Sequence, residues 1–182
     1  GGMSLFRLAQ DRKSPIPFFA EMGSLNPVIL LRESNDTIEN WRDLANAVTE
    51  NAGQFCTKPG LILVPIERLD EVRNRLQKEL EMCTSFPMLH PEIYKKYEAK
   101  LKELEQHIPV TRFSNNTPWN GDRAIASCTI QEFLEAPKLQ EEVFGPFTCL
   151  VGYSETDEIH SLFSCIGGQL TITFIGINPE KQ

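Results

Sequence analysis

Three short stretches of the sequence place a carboxylate or a thiol in a loop rich in turn residues. Glu21 lies in "FFAEMGSLNP", Cys56 lies in "GQFCTKPG", and Glu142 and Phe144 lie in "EEVFGPF". Each stretch also contains Gly or Pro, which let a backbone turn tightly and approach a ligand closely. Loops held by rigid elements are where binding and catalytic groups concentrate. These four side chains are therefore the candidate functional residues.

Cys56 has the chemistry of a nucleophile. The thiolate is the reactive form of cysteine, and an accessible loop whose backbone N–H groups surround the sulfur favours it. The structural alternative is a buried thiol that acts as a small apolar side chain. The neighbouring turn residues argue against this alternative, because they are typical of a backbone that approaches a ligand. They are Gly53, Gln54, Pro59 and Gly60.

The two carboxylates suit different tasks. Glu21 follows three apolar residues and precedes a turn, and partial burial there would raise the pKa of its carboxyl group and suit a general base. Glu142 can accept two hydrogen bonds from a ribose diol, with Phe144 two positions later packing against an adjacent ring. The structural alternatives are that Glu21 caps a neighbouring backbone and that Glu142 is the charged end of a helix before a turn.

The spacing of the cysteines and histidines predicts neither a metal site nor a disulfide framework. Five cysteines are an odd number and have no CxxC spacing, which argues against a disulfide framework and a zinc site. The other four cysteines fall on predicted helices or strands: Cys83, Cys128, Cys149 and Cys165. We expect these four to be core thiols. The histidines, for which we expect surface or capping roles, have no partner at a metal-binding spacing: His90, His107 and His160.

Composition excludes several classes of protein. The chain has 182 residues, a hydrophobic fraction of 41% and a net charge of −7, which fit one globular domain and give no basic surface for nucleic acid. No apolar run approaches the roughly 20 residues that span a bilayer, and the first residues lack the apolar centre of a signal peptide. We therefore expect no nucleic-acid or membrane partner and a reducing, cytoplasmic compartment.

The elements that must position the candidates alternate between helical and extended patterns. Apolar residues at steps of three and four predict helices over 36–53, where Asp36 and Glu39 have capping-box spacing, and over 67–82 and 91–106. Ser154 and Asp157 have the spacing to cap a further helix that runs to Cys165. Short apolar or alternating runs predict strands at 18–22, 27–31, 61–64, 124–130, 147–153 and 169–175. The first helix is predicted to be short and to end with "FRLAQDR".

Strands separated by helices of this length predict βαβ units. The fold class is therefore α/β, a three-layer sandwich in which helices cover both faces of a mainly parallel sheet. Ligands of such sheets usually bind beyond the carboxyl ends of the strands. We accordingly expect the three loops to gather at that edge.

Taken in order, the motifs resemble the catalytic domain of the aldehyde dehydrogenase superfamily. "EMGSLNP", "GQFC" and "EVFGP" are similar to that family's base, nucleophile and cofactor motifs. The resemblance implies that Cys56 is the nucleophile, that Glu21 is the general base, and that Glu142 accepts the hydroxyls of the nicotinamide ribose. Phe144 would then pack near the nicotinamide. NAD or NADP is the implied cofactor and a small aldehyde the implied substrate.

A narrower resemblance concerns one branch of the superfamily. The forms "AEMGSLNPV" and "GQFCTKPGL" resemble the 2,5-dioxovalerate (α-ketoglutarate semialdehyde) dehydrogenases. By the same resemblance, residues 1–182 correspond to part of a catalytic domain, without the dinucleotide-binding domain and the C-terminal end. We therefore expect this chain alone to fold but not to turn over aldehyde, and the parent enzyme to be a homo-oligomer.

Two other functions fit parts of the sequence. A cysteine hydrolase would use a thiolate, although no histidine lies in a turn-rich loop like those of Glu21 and Cys56. A non-catalytic α/β module that binds a partner or a nucleotide would keep the fold without needing Glu21 and Cys56 together.

Overall fold

The computed structural model describes residues 2–32, 41–114 and 117–176. Its helices are α1 (Gly2–Gln10), α2 (Trp41–Thr49), α3 (Leu69–Met82), α4 (Pro91–Leu104), α5 (Ile130–Glu135) and α6 (Thr156–Ile166). Its strands are β1 (Val28–Leu30), β2 (Leu61–Pro65), β3 (Val110–Phe113), β4 (Arg123–Thr129), β5 (Phe147–Tyr153) and β6 (Thr173–Ile175).

The described strands form one sheet in the order β3-β4-β5-β2-β1-β6. Every neighbouring pair is parallel except β3 with β4. The amino ends of β5, β2, β1 and β6 consequently lie side by side at one edge, although these strands come from distant parts of the chain.

Two apolar cores lie on opposite faces of the sheet. On β2, Leu61 and Leu63 pack into the core that includes α4, α5 and α6, whereas Ile62 and Val64 pack into the core of α2 and α3. Successive residues of a strand point to opposite faces, so a strand buried on both sides is apolar throughout. The predicted mixed α/β sandwich with a mainly parallel sheet is confirmed.

Strand prediction was right for the buried strands and wrong at the margins. Residues 18–22 form no strand, and the strand that follows them, β1, is already paired on both edges, with β2 and β6. The antiparallel strand β3 was missed. Of 169–175, the last three residues pair in β6, while Gln169 and Leu170 make loop contacts described below.

Helix prediction was right for α3 and α4, and it differs elsewhere at the ends. The proposed cap of Asp36 and Glu39 lies outside the described residues. After α2, the 3₁₀ turn Glu50–Gly53 contains Asn51 and Ala52 in the left-handed region, so the predicted helix stops early. The cap of α6 is formed by Glu155 with Glu158, not by the predicted Ser154 and Asp157.

The expectation for the four remaining cysteines is right for three. Cys83, Cys128 and Cys149 are buried. Cys165 is exposed, because it lies on the solvent-facing side of α6, and the prediction of a core thiol there was wrong. No helix in the part of the chain that the structure describes is long and apolar enough to cross a membrane.

Candidate active site

The three candidate loops lie together, but at the amino ends of the strands. "EMGSLNP" leads into β1, "GQFCTKPG" into β2 and "EEVFGPF" into β5. The expectation of the carboxyl edge was therefore wrong. A loop at the carboxyl edge must follow a strand. Residues 18–22 form none, the cysteine loop follows α2 and its 3₁₀ turn, and the third loop follows α5. Because β1, β2 and β5 are parallel neighbours in the sheet, their preceding loops still meet at one edge.

The loop after Glu21 is held by a glutamine from the segment before β6. The Gln169 Oε1 atom accepts hydrogen bonds from Leu25 N at 2.6 Å, from Asn26 N at 3.2 Å and from Ser24 Oγ at 3.1 Å. In return, Leu170 N donates to Ser24 Oγ at 3.0 Å. A loop with this many satisfied backbone groups is fixed in position.

A buried asparagine joins this loop to the cysteine loop. Asn26 is 2% exposed, and its Nδ2 donates to Cys56 O at 2.8 Å and to Lys58 O at 3.0 Å. Gly60 N also donates to Leu25 O at 2.8 Å. The main chain on both sides of Thr57 is thus tied to the first loop.

Cys56 is exposed and free. The structural alternative of a buried core thiol is therefore wrong for this residue. Its exposure, together with the anchored carbonyl group, presents the sulfur at a fixed place on the edge of the sheet. Such a position satisfies the access that a nucleophilic thiol requires.

Glu142 lies between the other two loops. It is partly buried, and burial raises the pKa of its carboxyl group, while the Lys58 cation and a hydrogen bond from the Ser24 backbone partly oppose the increase. Its Oε2 lies 3.2 Å from the point that a Cβ on Gly23 would occupy. Glu21 acts on Glu142 electrostatically and raises its pKa further. Glu142 therefore contacts the loop of Glu21 and interacts electrostatically with Lys58 of the cysteine loop.

Phe144 stands on the wall of a cleft that it shares with Glu142. The side chain is 40% exposed, and the cleft has a volume of about 410 Å³. The rest of its wall comes from α4 and from the residue before Glu142: Ile93, Lys96, Tyr97, Lys100 and Glu141. We call this the α4 cleft. A carboxylate beside an exposed ring offers both a hydrogen-bond acceptor and a flat apolar surface.

Glu21 differs from its sequence prediction in one respect. Its side chain is exposed, so the prediction of partial burial was wrong. Glu21 lines a separate, open cleft with Phe18, Phe19 and Gln169. No hydrogen bond joins the side chains of Glu21 and Cys56 within the residues that the structure describes. The structure brings Glu21 near Glu142 and ties the Cys56 backbone to the same loop.

Sequence reasoning missed three residues that build this edge: Asn26, Lys58 and Gln169. Asn26 precedes a proline in a turn, which is a weak signal for a buried clamp. The sequence gives no signal for the burial of Lys58, because lysine is almost never fully buried. Among the described residues, no group of three or more His, Cys, Asp or Glu side chains could hold a metal ion, and His90 Nδ1 accepts a hydrogen bond from Glu92 N at the start of α4.

Gly53 supplies a sharp test of how tightly the loops pack. Its φ of +65° lies in the left-handed region, and a Cβ there would lie 2.2 Å from Gly145 O. We expect Gly53→Ala to lower the free energy of unfolding by roughly 3–5 kcal/mol, from backbone strain and overpacking together. Urea-induced unfolding measures the change.

Gly167→Ala is the matched control for this substitution. Gly167 also has a positive φ, +68°, but a Cβ added there would meet no other atom within 4 Å. We expect a loss of only about 1–3 kcal/mol there, from strain alone. Equal losses at the two glycines would contradict the close packing of the cysteine loop on Gly145.

The sequence is similar to a family of known proteins. Residues 2–163 match the model of the aldehyde dehydrogenase family. The chain is 32% identical to the alpha-ketoglutaric semialdehyde dehydrogenase of Acinetobacter baylyi over 96% of its own length. It is 31% identical to alpha-ketoglutaric semialdehyde dehydrogenase 2 of Azospirillum brasilense over 95% of its length. The chain spans 35% and 34% of these two relatives.

Solved structures share the fold at lower identity. A bifunctional proline utilization A protein superposes with a TM-score of 0.81 at 19% identity, over 96% of this chain and 19% of that protein. An aldehyde dehydrogenase of Mycobacterium tuberculosis complexed with NAD+ gives a TM-score of 0.76 at 16% identity, over 99% of this chain and 39% of the other. At these identities the likeness shows the fold alone.

Proposed function

The chain belongs to the aldehyde dehydrogenase family, and we propose that the intact protein oxidises an aldehyde to a carboxylate with NAD or NADP through a thioester on Cys56. Members of this family are oxidoreductases. The observation that carries the proposal is the position of Glu142, which contacts the loop of Glu21 and lies close to Lys58 of the cysteine loop. One carboxylate thereby connects all three motifs.

The α4 cleft fits the nicotinamide end of a dinucleotide. In this proposal Glu142 accepts hydrogen bonds from the two ribose hydroxyls, and Phe144 packs against the nicotinamide ring. Support comes from the half-buried carboxylate and the exposed ring on one wall of the cleft. When bound, a nicotinamide supplies the acceptor for the hydride that leaves the substrate.

The chemistry assigned to this chain's own residues has two stages. The Cys56 thiolate attacks the aldehyde carbon, and the Cys56 backbone N–H donates to the oxygen on which charge develops. After oxidation, Cys56 carries the acyl group as a thioester. Glu21 then takes a proton from a water molecule, which attacks the thioester carbon, releases the acid and restores the thiolate.

For the substrate, we propose a small semialdehyde that also carries a carboxylate. The support is the similarity, above 30% identity, to two proteins described as alpha-ketoglutaric semialdehyde dehydrogenases. Family membership also favours a dehydrogenase over the two alternative functions, a cysteine hydrolase and a non-catalytic module. A hydrolase would need a base beside Cys56, and His90 is engaged at the start of α4 instead.

Glu142→Gln tests the assigned cofactor contact. The amide keeps the shape of the side chain but replaces a charged acceptor by a weaker neutral one, so the KM for the dinucleotide should rise by about tenfold. Steady-state kinetics of the intact protein at saturating aldehyde measure the change. Both NAD and NADP should be tried.

Glu135→Gln is the matched control. Glu135 is an exposed carboxylate on α5 that does not line the α4 cleft, and its Oε1 accepts a hydrogen bond from Gln131 Nε2 at 2.8 Å. We expect its KM for the dinucleotide to stay unchanged. An equal rise in both variants would argue against a specific role for Glu142, and an intact protein without dinucleotide-dependent oxidation would refute the proposed function.

A further inference from the structure

Lys58 lies in the cysteine loop, "GQFCTKPG", but none of the roles proposed so far uses its side chain. The residue is 2% exposed, and it follows Cys56 by two positions. Burying an ammonium group is costly unless it is paired and hydrogen-bonded. A methionine would fill similar space without that cost, so the charge at this position calls for a reason.

The contacts of Lys58 bracket the cofactor loop. Its Nζ donates to Val143 O at 3.0 Å and to Phe147 O at 2.9 Å. These two carbonyl groups stand on either side of the segment Phe144-Gly145-Pro146. The ammonium group therefore closes the base of this segment, and a lysine is suited to the task because it carries three donors.

The same ammonium group acts on Glu142. Burial lowers the pKa of Lys58 to about 8, and the Glu142 carboxylate opposes that decrease. In turn, Lys58 favours the ionised form of Glu142 against the burial that disfavours it. The proposed ribose contact depends on Glu142, and the Lys58 cation therefore stabilises the charged form of that carboxylate.

We propose that Lys58 is a positioning residue for the dinucleotide: it anchors the segment 143–147 to the cysteine loop and so keeps Glu142, which immediately precedes that segment, aimed at the ribose hydroxyls. The role rests on the function proposed above. The Lys58 side chain holds the cofactor segment, while Asn26 Nδ2 holds the main-chain carbonyl groups of Lys58 and Cys56, so the nucleophile and the cofactor contact share one anchored loop.

Lys58→Met, Glu142→Gln and the double variant, made in the intact protein, test this role. We expect Lys58→Met to raise the KM for the dinucleotide by about tenfold and to leave kcat and the KM for aldehyde unchanged. In the Glu142→Gln background, the same change should add little, because residues that act through one contact are not additive. Lys78→Met, at an exposed position on α3, is the control and should change nothing.

Hydrogen exchange gives a readout that is independent of turnover. Phe147 N donates to Gly145 O, and Ala124 N donates to Pro146 O, so both amides report on the bracketed segment. In Lys58→Met they should exchange faster, while the amides of β2 stay protected.

The outcomes separate the two proposals. An unchanged KM in an active Lys58→Met variant, or the same proportional rise with and without Glu142, would overturn the positioning role, since a purely structural residue acts independently of Glu142. If the wild-type protein binds no dinucleotide, the proposed function itself fails. Unchanged exchange of Phe147 and Ala124 would then overturn the anchoring role as well, and faster exchange would support it.

Discussion

Cys56→Ala should lower kcat of the intact protein by about 10⁴-fold or more, as expected when the nucleophile of a covalent mechanism is removed. The reason is chemical: without the sulfur, no thioester can form, and water would have to attack the aldehyde directly. The fold should be retained, because Cys56 is exposed and its contribution to the described hydrogen bonds is a backbone carbonyl group. Reduced nicotinamide, followed by absorbance, measures the rate.

Cys165→Ala is the control for this substitution. Cys165 is the second exposed thiol among the described residues, but it lies on α6 and belongs to none of the three loops. We expect full activity in this variant. Comparable loss in both variants, or persistent turnover in Cys56→Ala, would show that Cys56 is not the nucleophile.

Glu21→Gln should separate the two stages of the reaction. If Glu21 activates the water that cleaves the thioester, its loss should slow deacylation by about 10²–10⁴-fold, the usual contribution of a general base. Formation of the thioester should continue, so a burst of reduced nicotinamide, close to one per active site, should precede a slow steady state. Rapid-mixing absorbance detects the burst, and mass spectrometry of the quenched protein detects the acyl group on Cys56.

The result would have a different meaning without the burst. Loss of the burst together with turnover would assign Glu21 to activation of the thiol rather than to deacylation. Glu50→Gln is the control, since Glu50 is another exposed carboxylate and lies six positions before Cys56. We expect normal kinetics in that variant.

Local patterns were sufficient for much of the fold. The apolar runs of β2, β4 and β5 are buried on both faces, and such runs signal central parallel strands. The amphipathic periods of α3 and α4 likewise predicted their positions, because a helix must bury one stripe of side chains. The three motifs also carried the family resemblance, since their residue types and order do not depend on the path of the chain between them.

The assembly of the site depended on long-range pairing that no local pattern records. The sheet order places β5, β2, β1 and β6 side by side, and this alone brings the preceding loops to one edge. The contacts that join those loops link residues 30 positions apart for Asn26 with Cys56, 85 for Lys58 with Val143 and 144 for Gln169 with Leu25.

Burial, complete for Asn26 and Lys58 and partial for Gln169, explains why these polar side chains could not be predicted from the sequence. Hydropathy predicts that asparagine, lysine and glutamine face solvent, and a buried one is stable only where specific partners satisfy its hydrogen bonds. For Lys58 the partners are carbonyl groups of a segment that is remote in the chain. The sequence by itself therefore determined the reactive residue types and the central strands. The tertiary structure decided which backbone groups lie close enough to bind the buried polar side chains that fix the three loops.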